Sequence, residues 1–241
     1  MEQTFYKARL TLIQMMKDRG YFHDHEKGLD VFNLSLEEYR ELFKNSERDT
    51  VSGYHPIYLD MSGIKTKAGK NVYIRVLNGS FKDDKIFSVF DKNKPERSDF
   101  IPIAEHFKLP VTSRAELQAL FDQVHIIIVY KATTRKDGRY DLGLQTSFLE
   151  NVNVEALPIH TLTFNVTRHK LVNPHRLLSE EERTQVYEKF NASRIMFNKI
   201  CLDDPVNLYY GGRPGNMYEI SRKGYKPSYR VVTGRALPRK K

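Results

Sequence analysis

The sequence predicts an α+β protein of two domains, an α/β domain over residues 1–158 and a smaller mixed α+β domain over 159–241. Three observations carry this reading. A Ser-x-x-Glu capping box at Ser113–Glu116 opens a helical pattern that runs straight into VHIIIVY at 124–130, and a helix feeding a doubly apolar strand is the unit of an α/β layer. The pattern loosens at NVNVEALPIH near 150–160, where a domain boundary fits. Charge also changes along the chain. Residues 1–164 hold 23 Lys/Arg against 23 Asp/Glu, whereas 165–241 hold 16 against 7, so the net charge of +9 lies entirely in the last third.

In chain order, residues 3–19 read as a helix, because Phe5, Ala8, Leu12 and Met15/Met16 recur at helical spacing. Lys17 and Arg19 suit its negative end and Gly20 stops it. Ser35 caps a second helix with Glu38 answering three residues later and Tyr39, Leu42 and Phe43 on the buried side. Strand-like runs follow at 55–61, 71–77 and 85–91, separated by the polar turns KTKAGK and NGSFKDD. The run at 124–130 reads as a central strand, and Asp137-Gly138 beyond it as a hairpin turn. In the second domain TLTFNVT alternates like a strand. Ser179 and Glu182 repeat the capping box before a helix that buries Val186, Tyr187 and Phe190 and ends at Asn191. Asp204 and Pro205 then open a short helix over VNLYYG. The glycines of GGRPG, Gly211, Gly212 and Gly215, allow positive φ where the chain reverses into the strands MYEIS and YRVV, and RALPRKK reads as a fraying basic tail.

A single cysteine, Cys201, rules out an internal disulfide and points to a reducing compartment. MEQTFYKARL lacks the pattern of a signal peptide, and no apolar run approaches the ~20 residues that cross a bilayer, so no membrane partner is expected. The basic last third suits an acidic partner, or it keeps a small domain soluble.

Three constellations could carry chemistry, and each has a plainer reading. His23-Asp-His25-Glu26 lacks metal-ligand spacing and reads as a solvated loop. Asp60 with Asp83-Asp84-Lys85 loosely imitates an acidic metal-nuclease site, yet the Asp-Asp-Lys run lies in a polar turn. Cys201 has no local base and sits between Ile200 and Leu202 like a small core residue. GGRPG has neither spacing of a phosphate-binding loop, and Pro214 removes a backbone donor. The residues therefore give no catalytic site, no metal, no cofactor and no small-molecule substrate.

Three runs carry a more specific signal: HKLVNPHRLLSEEERTQVYEKF (169–190), DPVNLYYGGRPGNMYEISR (204–222) and SYRVV (228–232). Their order and spacing over about 70 residues resemble the C-terminal assembly domain of the fifth subunit of eukaryotic-type RNA polymerases, which archaea carry alone as a small separate polypeptide. KDRGYF at 17–22 is similar to the start of the eukaryotic jaw domain. Between 45 and 160 the likeness is one of element order and character. The family's Thr-Pro-Ser-Ala motif falls near Thr146-Ser147-Phe148-Leu149 without its proline, and Pro214 replaces a usual basic residue.

The resemblance implies a restriction-nuclease-like jaw domain without an active site over 1–158 and a polymerase assembly domain over 159–241. It implies a non-catalytic subunit that docks on the largest subunit, contacts other polymerase subunits and forms part of the lower jaw near downstream duplex DNA. The family positions expected to dock are His169, Pro174, His175, Asp204, Pro205, Tyr210, Gly211, Gly215, Tyr229 and Arg230, for most of which internal packing and turn geometry is the competing reading. Near DNA, Arg135, Lys136 and Arg139 suit sequence-independent phosphate contact, with Thr146 and Ser147 nearby; a solvated hairpin is the plainer alternative. The other function classes are a metal-dependent nuclease using Asp60 and Asp83, and a free-standing nucleic-acid-binding protein. A cellular chain of this kind works in the nucleus; one from a large DNA virus works in the viral factory, the virion, or the host nucleus or cytoplasm.

Overall fold

In the computed structural model helix α1 (Glu2–Asp18) buries the stripe its spacing predicts, Phe5, Ala8, Leu12, Met15 and Met16, and Ile13 is buried with it. Gly20 ends it at φ 74, where the Tyr21 N–H returns to the Met16 carbonyl at 2.9 Å. The structure describes residues 2–48, 61, 63–77, 123–130 and 153–234, and the chain divides into two units, Met1–Phe164 and Asn165–Lys241.

The first unit is built on a sheet. Among the described residues its strands are β1 (Phe22–His23), β2 (Ile64–Lys65), β3 (Asn71–Leu77), β4 (Val124–Tyr130) and β5 (Asn153–Pro158), in that spatial order. The first three pair antiparallel, whereas β3, β4 and β5 run parallel with Tyr73 beside Ile126 and Ile126 beside Val154. Both parities of β4 are buried, Val124 and Ile126 on one side and Ile127 and Val129 on the other, as a central parallel strand requires. Helix α2 (Leu36–Arg48) starts at the expected box: the Glu38 N–H reaches Ser35 Oγ at 3.3 Å and the Ser35 N–H reaches Glu38 Oε2 at 2.7 Å. Its Tyr39 is fully buried, 5.3 Å ring to ring from Tyr6 of α1, and Leu42 is half-buried.

The second unit carries a four-stranded sheet in the order β6-β8-β9-β7, from β6 (His175–Leu177), β7 (Asn198–Cys201), β8 (Met217–Ile220) and β9 (Ser228–Thr233). Two helices complete it, α3 (Glu180–Phe190) and α4 (Pro205–Tyr210). The α3 cap forms in full, Ser179 Oγ accepting from the Glu182 N–H at 3.2 Å and Glu182 Oε2 from the Ser179 N–H at 2.8 Å, and Asn191 closes the helix at φ 44.

Four expectations need correction. The loosened stretch before residue 160 contains strand β5, whose ladder partner is β4. TLTFNVT is no strand but two short 3-10 turns, Ile159–Leu162 and Val166–Arg168. Its polar side chains take the backbone groups a ladder would use: Thr161 Oγ1 donates to the Pro158 carbonyl at 2.7 Å, and Asn165 Oδ1 accepts from the Thr167 N–H at 2.9 Å. Phe190 is half-exposed instead of buried, because it caps the end of an aromatic cluster. Gly212 has no positive φ; its role is close approach. The Phe43 side chain, Ser113–Glu116, Asp137-Gly138, the runs at 55–60 and 85–91, Asp60, Asp83-Asp84-Lys85, Arg135, Lys136, Arg139, Thr146, Ser147 and the tail from 235 lie outside the described residues.

Candidate functional site

Strand register sorts the second unit's residues onto two faces. Met217 pairs with Val231 and Glu219 with Tyr229 on the face that meets α3, where Leu178, Val186, Met217 and Val231 form the core. Tyr218 pairs with Arg230 and Ile220 with both Ser228 and His175 on the opposite face. That second face meets α4: the Tyr210 and Tyr218 rings lie 6.1 Å apart, and Val206 and Tyr209 are buried.

The turn between α4 and β8 is held by buried polar contacts. Asn207 is 2 % exposed and Tyr218 fully buried. Asn207 Nδ2 donates to the Leu202 and Gly212 carbonyls at 3.0 Å each, and the Tyr218 hydroxyl donates to Asn207 Oδ1 at 3.0 Å. A buried amide so fully matched fixes the loop, since losing any one partner would strand a desolvated group. A Cβ on Gly212 would stand 2.4 Å from both Asn207 Oδ1 and the Tyr218 hydroxyl.

Backbone donors along the turn are spent internally. Gly211 N–H bonds the Asn207 carbonyl, Arg213 N–H bonds Asn216 Oδ1, Gly215 N–H bonds the Val232 carbonyl and Asn216 N–H bonds the Arg213 carbonyl, all between 2.7 and 2.9 Å. Such a loop has few amides to offer an anion. Its geometry is that of a scaffold turn, as the missing phosphate-loop spacing implies.

The expected docking positions separate into two groups. Asp204, Pro205, Gly211, Gly215 and Tyr229 have structural tasks within the unit, although Pro205 is itself exposed. Asp204 Oδ1 caps α4 through the Val206 N–H at 2.9 Å, Pro205 occupies the first turn, and Gly211 ends the helix at φ 70. Gly215, at φ 96, accepts from Arg183 Nη1 at 2.9 Å, and Tyr229 donates to Glu219 Oε1 at 3.3 Å. His169 and Pro174 are exposed, and His175, Tyr210 and Arg230 half-buried. His175 Nδ1 lies 2.6 Å from the Asn173 carbonyl, and its ring meets Tyr218 edge-on at 6.0 Å. Burial pushes the His175 imidazole below its usual range, against the pull of that carbonyl, and the charges of Arg230 and Arg222 push the same way.

In the first unit, the Asp-Arg-Gly-Tyr run is the start of a buried polar relay. Arg19 Nη1 lies 2.7 Å from Glu155 Oε2; His125 Nε2 lies 3.3 Å from Glu155 Oε1 and 3.2 Å from the Tyr21 hydroxyl. Burial alone would raise the Glu155 carboxyl, but Arg19 and the hydrogen bond from His125 hold it well below the usual carboxylate range. The relay ties the end of α1 to β4 and β5. Sequence reasoning had a signal for it, an Arg and a Tyr astride a helix-stopping glycine, but nothing in the string names partners so distant. Asn207 was equally hidden, an amide set among Val206, Leu208 and Tyr209.

His23 and His25 each accept a backbone N–H at Nδ1, from His25 at 3.0 Å and Lys27 at 3.1 Å. Asp24 pairs with Lys65 at 2.9 Å. Cys201 is half-buried on β7, opposite Thr233. Among the described residues no three His, Cys, Asp or Glu side chains gather as a metal site would need, and no helix is long and apolar enough to cross a membrane.

Known proteins share this sequence pattern. Residues 164–233 match the family described as RNA polymerase Rpb5, C-terminal domain. The chain is 40 % identical over 73 residues to the DNA-directed RNA polymerase subunit Rpo5 of Pyrococcus abyssi, a stretch that is 29 % of this chain and 89 % of that one. It is 25 % identical over 220 residues to the DNA-directed RNA polymerase V subunit 5A of Arabidopsis thaliana, covering 91 % of this chain and 82 % of that one. A second plant relative, the DNA-directed RNA polymerases IV and V subunit 5B, is 26 % identical over 219 residues, 91 % of this chain and 83 % of that one. With 89 % of an archaeal subunit covered at 40 % identity, the family's C-terminal domain matched over 164–233 and plant subunits aligned along most of its length, the chain belongs to the family of fifth subunits of DNA-directed RNA polymerases.

Proposed function

We propose that this chain is a non-catalytic subunit of a multisubunit DNA-dependent RNA polymerase, whose second unit docks on the largest subunit and whose first unit forms part of the lower jaw beside downstream duplex DNA. One observation carries the reading. The matched span 164–233 coincides with the second unit, which begins at Asn165, so a self-contained fold of this chain corresponds to what an archaeon makes as a separate polymerase subunit. The names of the relatives favour this reading over a metal-dependent nuclease or a free-standing nucleic-acid-binding protein.

Within the docking surface, His169, Pro174, His175, Tyr210 and Arg230 are family positions with side chains open to a partner, and Pro205 is exposed as well. Asp204, Pro205, Gly211, Gly215 and Tyr229 serve the interface indirectly, by shaping the unit that presents it. Arg135, Lys136 and Arg139, with Thr146 and Ser147, are the candidates for the DNA side. A cellular form works in the nucleus, where transcription takes place. The test is co-purification: the tagged full chain, expressed in its own cells, brings down the large polymerase subunits, and capture of none of them overturns the reading.

A further inference from the structure

At the end of α3 and in the 3-10 turn that follows it, the second unit exposes large apolar side chains. Phe190 is 50 % exposed, Ile195 84 % and Met196 75 %. Phe190 stacks edge-on against Phe197 at 6.1 Å and Tyr229 at 5.7 Å, and Phe197 meets Tyr187 at 5.6 Å, so these side chains extend a packed aromatic cluster that adjoins the core. Ile195 and Met196 immediately precede Phe197 in a 3-10 turn, Arg194–Met196. That turn is held: Lys199 Nζ donates to the Arg194 carbonyl at 2.7 Å and the Ile195 carbonyl at 3.1 Å. Two large apolar side chains fixed in water cost free energy that a soluble chain recovers by covering them.

The charges around these side chains say what covers them. Residues 189–202, between Glu188 and Asp203, contain Lys189, Arg194 and Lys199 and no Asp or Glu. Among the described residues none of the three has an ion-pair partner; Lys189 lies 5.9 Å over the Phe190 ring, and the Arg194 guanidinium points toward Gly215. By contrast Arg176 of the same unit is paired with both Glu182 and Glu219. An apolar patch bordered by such cations fits a segment that presents apolar side chains flanked by carboxylates. It does not fit a second copy of this chain, which would bring the same cations face to face.

We propose that Phe190, Ile195 and Met196, bordered by Lys189, Arg194 and Lys199, form a docking surface for an acidic, apolar segment of a neighbouring polymerase subunit. None of these six residues is one of the family positions named above, although Phe190 packs on Tyr229 and Arg194 reaches toward Gly215. This inference rests on the reading of the chain as a polymerase subunit. Burial of a few anchors dominates an interface, so their loss should be felt strongly.

The experiment compares tagged full-length wild type with Ile195→Asp/Met196→Asp, the milder Ile195→Ser/Met196→Gln, Lys189→Glu, and the control Tyr225→Asp, whose side chain is 79 % exposed in the turn before β9. Polymerase subunits captured from native cells are quantified by mass spectrometry, and thermal unfolding checks each fold. The expected result is a loss of about tenfold or more for the Asp pair and a smaller loss for the Ser/Gln pair. Lys189→Glu should weaken capture and lessen its sensitivity to salt, whereas Tyr225→Asp captures like wild type. Wild-type capture by both patch pairs, with intact melts, overturns this inference and leaves the polymerase reading standing. Capture of no polymerase subunit by the wild type overturns both. Recovery of the chain chiefly with copies of itself, lost in the patch pairs, assigns the surface to self-association and overturns the proposed occupant.

Discussion

Arg19 at the end of α1 and Glu155 on β5 stand 136 residues apart in the chain and 2.7 Å apart in space. The Arg19 side chain is 4 % exposed and that of Glu155 19 %, so the arginine is cut off from water and the carboxylate has little of it. Arg19→Ala or Glu155→Ala should each cost about 3–5 kcal/mol, because either leaves an uncompensated buried charge. The double substitution Arg19→Met/Glu155→Leu should cost much less than the sum of the two single losses. Denaturant unfolding of the four proteins measures this, and additive losses would show that the pair is not coupled. The pH dependence has a definite sign. Glu155 has a folded value far below its ordinary 4.5, so its stabilisation is present above pH 4.5 and is lost as pH falls below it.

The glycines at 211 and 212 have different jobs, and substitution separates them. Gly211→Ala forces an alanine into the left-handed backbone at φ 70 and should cost about 1 kcal/mol. Gly212→Ala drives a methyl against Asn207 Oδ1 and the Tyr218 hydroxyl, and should cost about 3 kcal/mol through overpacking and broken buried hydrogen bonds. Thermal or urea unfolding orders the two. Equal losses would mean that the Asn207 and Tyr218 pair gives way freely.

His175 makes the second unit sensitive to mild acid. Its folded value lies below the ordinary 6.5, chiefly through burial, so the unfolded chain takes up the proton first. Stability contributed by the neutral ring is complete above about pH 6.5 and is lost as pH falls through the folded value. Stability measured from pH 7 to 5 should therefore decline, and His175→Gln should flatten that decline. The window is distinct from that of Glu155, which acts below pH 4.5. A wild-type slope retained in His175→Gln would assign the decline to another group.

The parts of the fold legible in the sequence are those fixed by local chemistry. The Ser35 and Ser179 boxes, the Asp204 cap and the doubly apolar strand at 124–130 all took the form their residues predict, since each depends on neighbours a few positions away or on burial of both faces. Strand β5 was missed because its pairing is non-local: Glu155 reads as a polar interruption until Arg19 neutralises it and β4 supplies its ladder. TLTFNVT misled because alternating Thr residues suit a strand face and equally suit side-chain capping of short turns. At the candidate docking surface four of the family positions, Asp204, Pro205, Gly211 and Gly215, build α4 and the turn after it. The exposed Ile195 and Met196 carried no motif, and only their position on a held turn sets them apart from core residues.

The DNA side of the proposed function rests on Arg135, Lys136 and Arg139, three cations around an Asp-Gly turn in the sequence. Pairing of such side chains with phosphates releases counterions, so their contribution appears in the salt dependence of binding, at about 0.9 in the logarithmic slope per phosphate neutralised. Reversing all three to Glu should weaken the grip of the assembled polymerase on downstream duplex DNA and reduce that slope by about 0.9 for each phosphate no longer neutralised. The effect should be the same for unrelated downstream sequences, because backbone phosphates carry no base information. Dissociation of stalled complexes followed across a salt series provides the measurement. A slope equal to that of wild type would remove these residues from the DNA side, while altered co-purification of the triple variant would place them at a subunit interface instead.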